Sequence, residues 1–240
     1  MEKAMIDIRQ RFIEKPLFIC QDTASTFATA GIESFKIEDM RHEATEALFN
    51  YLYSGEAQSK PYRMMGSAAV IPINGTLLHK VDWAGSWYTG YGYIRALFDI
   101  AMDDPDVKGV AFDVNSGGGE VAGAFSLAEH IRGRRNEKPT ITVVNENAYS
   151  AAYLLGSASS KMTVPKTGGV GSIGVVTMHV DYSEALGKSG VKVQFIHAGK
   201  HKVDGNPYEP LPKAVQARIQ SRVDKSYELF VDAVSVQRGL

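Results

Sequence analysis

The sequence is poor in several things that would have decided its class at once. Cys20 is its only cysteine, so no intrachain disulfide can form and no paired thiolates can hold a metal. No HExxH pattern and no cluster of carboxylates or histidines stands out, which leaves no metal or cofactor expected. No apolar run approaches the roughly 20 residues a membrane-spanning helix needs. The N-terminus, MEKAMIDIRQRF, carries charges throughout and lacks the apolar block of a signal peptide. There is no long basic run, and 26 lysines and arginines against 27 acids leave a formal charge of -1, which argues against a nucleic-acid partner. A chain of this kind reads as soluble, in a reducing compartment, with neither nucleic acid nor membrane as partner.

What is present is ample core: 44% of 240 residues are hydrophobic, and the length fits one large domain or a domain with an appendage. Residues 1–60 read as a helical N-terminal extension. Within it IEDMRHEATEALFNYLYSG places Met40, Ala44, Leu48 and Tyr51 on one face and stops at Gly55. QSKPYRMMGS follows as a linker, and residues 61–240 form the main domain. There the texture alternates. AAVIPING, KGVAFDVN, PTITVV, KMTV, IGVVTMHV and VKVQFIH read as strands. Residues 93–102, GEVAGAFSLAEHIRGRR, the segment after Ser150 and residues 183–189 read as helices. Pro212 opens a long C-terminal helix with a stripe of Val215, Ile219, Val223, Tyr227, Val231 and Val234. Alternation of this kind predicts an α/β fold with a parallel-rich sheet and right-handed crossovers.

In such folds the chemistry gathers in the turns after strand ends. DVNSGGGEV puts three glycines between a predicted strand and a predicted helix, either to cradle a phosphate or to aim amides at an oxyanion. A phosphate loop would want a lysine after its last glycine; none follows Gly123, and Glu120 would repel the anion. NENAYSAAYLLGSA places Ser150 after the next strand. If the two strands are neighbours, a nucleophile and oxyanion donors converge. Standing alone, Ser150 reads more readily as a small buried serine bonded to its own helix than as a nucleophile. The base is open among His42, His79, His130, His179, His197 and His201, and among Lys200 and Lys202 in HAGKHKVDGNPYEPL. A lysine serves only when neutral, with its pKa brought down from about 10.4 toward 8 or lower.

Taken together, VIPINGTL, FDVNSGGGEVAG, NAYSAAYLLGSA, GGVGSIGVVTMHVD and GKHKVDGNPYEPL resemble the S49 peptidases, the signal peptide peptidase A-like serine proteases of the Clp/crotonase fold. The resemblance runs from about Ala68 to Gly239 and is nearest to the head maturation proteases of tailed phages. It implies Ser150 as nucleophile, Lys202 as general base and the amides of Gly119 and Ala151 as the oxyanion hole. Ser172 is a candidate for orienting the lysine. It also implies a homo-oligomeric ring, and substrates among scaffold, portal or capsid proteins inside a prohead in the host cytoplasm. Two departures stand out. Gly117 replaces the proline of the usual N-S-P-G-G turn, and Ala151-Ala152 follow the serine where cellular relatives often have Gly-Gly. Phage relatives also continue past the long helix, whereas this chain stops at Leu240, as a trimmed or processed form would. The rival readings are a Clp-like Ser/His/Asp triad using His179, a crotonase-like acyl-CoA enzyme, and a capsid interaction protein without activity.

Overall fold

The computed structural model describes residues 15–20, 43–54 and 59–240. Its centre is a sheet in the order β2-β3-β5-β6-β7. The strands are β2 (Arg63–Met65), β3 (Ala68–Leu78), β5 (Gly109–Glu120), β6 (Thr140–Tyr149) and β7 (Lys161–Thr163). The pairs β3/β5, β5/β6 and β6/β7 are parallel, and β2 adds antiparallel to the edge of β3. The centre of β3 and β5 is almost continuously buried, as expected of strands covered on both faces. Three short strands extend the sheet at its ends. β4 (Tyr88–Gly90) joins β3, β8 (Gly169–Gly171) joins β6, and β1 (Leu17–Ile19) joins β5.

Helices α2 (Tyr91–Asp103), α3 (Ala124–Arg134) and α4 (Ala151–Ser157) contribute Ile94, Leu97, Phe98, Leu127, Ile131, Leu154 and Leu155 to one core with Ile71, Ile73, Phe112 and Val114. The parallel α/β architecture expected from the alternation is therefore present, with the helices as crossovers. Helix α1 (Glu43–Tyr53) buries Leu48 in the same core, and Thr45 Oγ1 both donates to the Ala84 carbonyl and accepts its N–H. Met40 and Gly55, read from sequence as part of that helix, lie outside the described residues, and Tyr51 is exposed.

Four expectations need correction. The stretch read as a linker contains β2, paired to β3. The glycine turn is not a loop, because β5 runs through all three glycines to Glu120; α3 accordingly starts at Ala124, not at Gly119. Gly123, at φ 86°, makes the left-handed turn into that helix. The segments IGVVTMHV and VKVQFIH form no strand; one bridge, at Val176, is their contact with the sheet. Val191, Val193 and Ile196 stay exposed. Finally, past the short helix α5 (Ser183–Lys188), α6 (Lys213–Arg238) buries Val215, Phe230 and Val234, while Tyr227 and Val231 of the expected stripe are exposed. Phe230, outside that stripe, is its main anchor.

Candidate active site

The end of β5 is built by its neighbours. β3 follows it to the pairs Thr76↔Gly118 and Leu77↔Gly119, whereas β6 leaves after Ser116↔Ala148. From there the β6 side of β5 carries a different partner, β1, in the register Leu17↔Glu120, Phe18↔Gly119 and Ile19↔Gly118. Ser116 Oγ donates to the Gly75 carbonyl at 2.6 Å and accepts the Gly118 N–H at 3.1 Å, which fixes the bend in the glycines. Gly118 sits at φ 101°; a side chain there would strike the Phe18 carbonyl oxygen and reach Ser150 Cβ at 3.0 Å. Only glycine allows that approach. Tyr91 donates to the Glu120 carbonyl at 2.6 Å, and complete burial pushes its phenol well above the usual range. The Glu120 carboxylate, itself buried, accepts the His79 N–H at 2.5 Å. That explains an acid beside a glycine turn: it is committed to the scaffold.

Ser150 is where β6 becomes α4. Its φ of 54° and ψ of −117° lie in a region L-residues seldom adopt, and such strain concentrates at functional turns. Its N–H donates to the Gly171 carbonyl at 2.7 Å, tying the turn to β8. The residue is fully buried, and its Oγ makes no hydrogen bond among the described residues. A buried hydroxyl left without a partner is rare and costly, so it marks the position as kept for something other than stability. β5 and β6 are neighbours, so the sequence-predicted meeting of Ser150 with the glycine segment occurs. Ala151, first residue of α4, is fully buried beside it, and Gly119 stands one residue beyond the contact point at Gly118.

The base is not delivered in the same way. Lys202 is exposed, in the turn 199–205, with its N–H on the Gly199 carbonyl at 3.3 Å. That turn is held by Asp204, which accepts from His201 Nδ1 at 2.7 Å and pairs with Arg218 of α6. Ser172 lies one residue past β8 at φ 53° and is exposed. Neither approaches the Ser150 hydroxyl by hydrogen bond. His179 is half-buried; hydrogen bonds from Ser183 hold the Asp181 carboxyl below its ordinary range, with His179 the smallest contributor. His130 bridges to Asp99 at 2.5 Å within an Arg95–Arg134 cluster on α2 and α3, a structural role. Among the described residues no group of three His, Cys, Asp or Glu is placed to hold a metal, and no helix is long and apolar enough to cross a membrane.

Sequence reasoning missed β1. Its signal was the apolar triplet Leu17-Phe18-Ile19 set among charged residues, too short to carry a period. It missed Ser116 as well, whose role in holding Gly75 and Gly118 depends on a strand 41 residues away.

Comparison with known proteins bears on this geometry. Residues 132–240 match the sequence profile of Peptidase family S49. The chain is 41% identical over 192 residues to the head-tail preconnector protein of Enterobacteria phage P21, covering 79% of this chain and 38% of that protein. It is 41% identical over 203 residues to capsid assembly protease C of Escherichia phage lambda, covering 82% of this chain and 46% of that protein. Protease 4 of Haemophilus influenzae is 25% identical over 192 residues, 80% of this chain and 31% of its own length. The chain thus spans less than half the length of these curated relatives.

Proposed function

We propose that this chain, which belongs to peptidase family S49, is a serine endopeptidase of phage head assembly that works through a Ser150–Lys202 dyad. The observation that carries the reading is Ser150 itself: strained, buried, with an unpartnered hydroxyl, and in contact range of a glycine strand shaped by Ser116. A reaction follows from it. Neutral Lys202 takes the Ser150 proton as Oγ attacks a peptide carbonyl carbon. The negative charge that develops on the carbonyl oxygen is met by the N–H groups of Gly119 and Ala151. The lysine returns the proton to the departing amine, and water, activated the same way, hydrolyses the acyl-serine.

For Lys202 to serve, its turn must be brought to a serine and desolvated. The exposed turn and the unpaired apolar segment around Val191, Val193 and Ile196 support a site completed on assembly, with one protomer's Lys202 serving another's Ser150 in a closed ring. Ser172 would then orient the lysine. Substrate binds as an added strand on the edge of β5 beyond Ser116, which β6 has left and which β1 lines in this structure. The names of the phage relatives support scaffold, portal or capsid proteins as substrates, met inside a prohead. A peptidase assay on purified assembled protein tests the reading. Hydrolysis should vanish in both Ser150→Ala and Lys202→Ala, and turnover retained by either variant would refute the dyad.

A further inference from the structure

On the edge of β5 that β6 leaves after Ser116 the structure holds a peptide already, and it is the chain's own. Residues 16–20 lie antiparallel to 117–121. Val121 N–H donates to the Pro16 carbonyl at 3.3 Å and Cys20 N–H to the Gly117 carbonyl at 2.9 Å. Antiparallel ladders alternate, so the pair between these two, Phe18 and Gly119, also faces amide to carbonyl. The other edge of the segment is clamped as well: Leu17 N–H donates to the Val176 carbonyl at 2.8 Å and Val176 N–H returns to the Leu17 carbonyl at 3.0 Å. The peptide is therefore held between two walls, one from the glycine strand and one from the segment after β8.

The placement of Phe18 is specific. Its carbonyl oxygen and Ser150 Cβ flank the same point, the one a Gly118 side chain would occupy. Its ring is fully buried, 4.5 Å from the Phe230 ring and 5.5 Å from the Phe125 ring. The wall of the groove is thus an aromatic pocket built from α3 and α6. Ser150 is sealed by this arrangement, which accounts for a nucleophile with no exposed surface.

We propose that residues 16–20 occupy the substrate groove as an intramolecular substrate, and that the enzyme cuts its own chain at the Phe18–Ile19 bond. This rests on the assignment of Ser150 as nucleophile. Ser150 Oγ attacks the Phe18 carbonyl carbon while the base takes its proton. The Phe18–Ile19 C–N bond breaks, the proton passes to the Ile19 nitrogen, and residues 1–18 remain as an ester on Ser150. Water then hydrolyses that ester, regenerating the hydroxyl and releasing a fragment that ends in the Phe18 carboxylate. The emptied pocket defines a preference for an aromatic residue on the acyl side of the bond cut in other substrates.

The test mixes purified full-length protein with a longer, tagged Ser150→Ala chain and follows intact masses and new N-termini. Wild-type chains should lose residues 1–18 and begin at Ile19, while tagged Ser150→Ala chains in the same mixture stay intact, because each groove is filled by its own N-terminus. Cleavage of the Ser150→Ala chain would overturn the intramolecular placement, and a new terminus elsewhere would overturn the assigned bond. An Ile19→Pro chain puts an imide nitrogen in the leaving position and, by the alternation, costs no bond to β5. It should unfold as cooperatively as wild type yet remain uncut; cleavage of its 18–19 bond would contradict the proposal. An active-site serine probe added to the wild-type sample separates the two levels. Ser150 labelled with residues 1–18 still attached refutes the self-cleavage alone, whereas no labelling and no cleavage refutes the peptidase reading with it.

Discussion

Replacing Ser150 with alanine should destroy activity and stabilise the fold at once. The hydroxyl is fully buried and makes no hydrogen bond among the described residues. Leaving such a group unsatisfied costs about 1–3 kcal/mol, and alanine removes the group without changing the backbone it sits on. The expected gain is about 1–2 kcal/mol, since some of that cost is recovered by relaxation. In a chain of this size that raises Tm by roughly 2–6 °C. The φ of 54° and its strain persist in the alanine variant; glycine would relieve them but add unfolded-state freedom worth about 0.5–1 kcal/mol. Ser150→Gly should therefore also exceed the parent. Urea unfolding is the assay, with Lys202→Ala as the common background so that neither chain turns over. The double variant should show a higher midpoint at an unchanged slope. An equal or lower midpoint would mean that the hydroxyl is satisfied in the folded protein, and the case for a reserved nucleophile would lose its main support. In the otherwise wild-type chain, Ser150→Ala should lower peptide cleavage by on the order of 10³ or more.

Three further outcomes are expected. Lys202→Ala should be as damaging as loss of the serine and His179→Ala mild; an active Lys202→Ala together with an inactive His179→Ala would favour the triad instead. If the site is shared between protomers, mixing inactive Ser150→Ala with inactive Lys202→Ala should restore about one quarter of wild-type activity in a closed ring, and no recovery in a verified mixed oligomer would place the dyad within one chain. Asp104 is held down at about 2 by hydrogen bonds from Lys60 and Tyr62, which docks the start of β2 against the end of α2. A depressed carboxylate stabilises above its unfolded pKa of about 3.9 and loses that contribution as pH falls toward 2. Asp104→Asn should accordingly melt below wild type at pH 5, with the gap closing by pH 2; a gap independent of pH would refute the assignment.

The parts of the fold legible in the sequence were those whose signal is local. KGVAFDV and PTITVV announce themselves as strands by apolar content, and Ser150 after the second was placed beside the glycines after the first because parallel neighbours end together. The glycine segment was misread because Gly117-Gly118-Gly119 suggests a turn. Its strand character comes from partners distant in sequence, Leu77 on one side and Phe18 on the other. The same reason hides β1, since a three-residue strand is defined by what it pairs with. The opposite error befell 173–180 and 191–197, whose residues favour strands but form none beyond the single bridge at Val176. Lys202 is a candidate through resemblance alone, and its place in an exposed turn gives no local sign of a base.

Whether Ser150 is a nucleophile decides the proposed chemistry most directly. A fluorophosphonate probe applied to the purified protein, followed by peptide mass mapping, measures this. The account predicts one modified serine, in the peptide carrying residues 145–158, with the adduct on Ser150 and the label lost in Lys202→Ala. Peptide hydrolysis by a preparation in which Ser150 stays unmodified, or an adduct on a different serine, would contradict it.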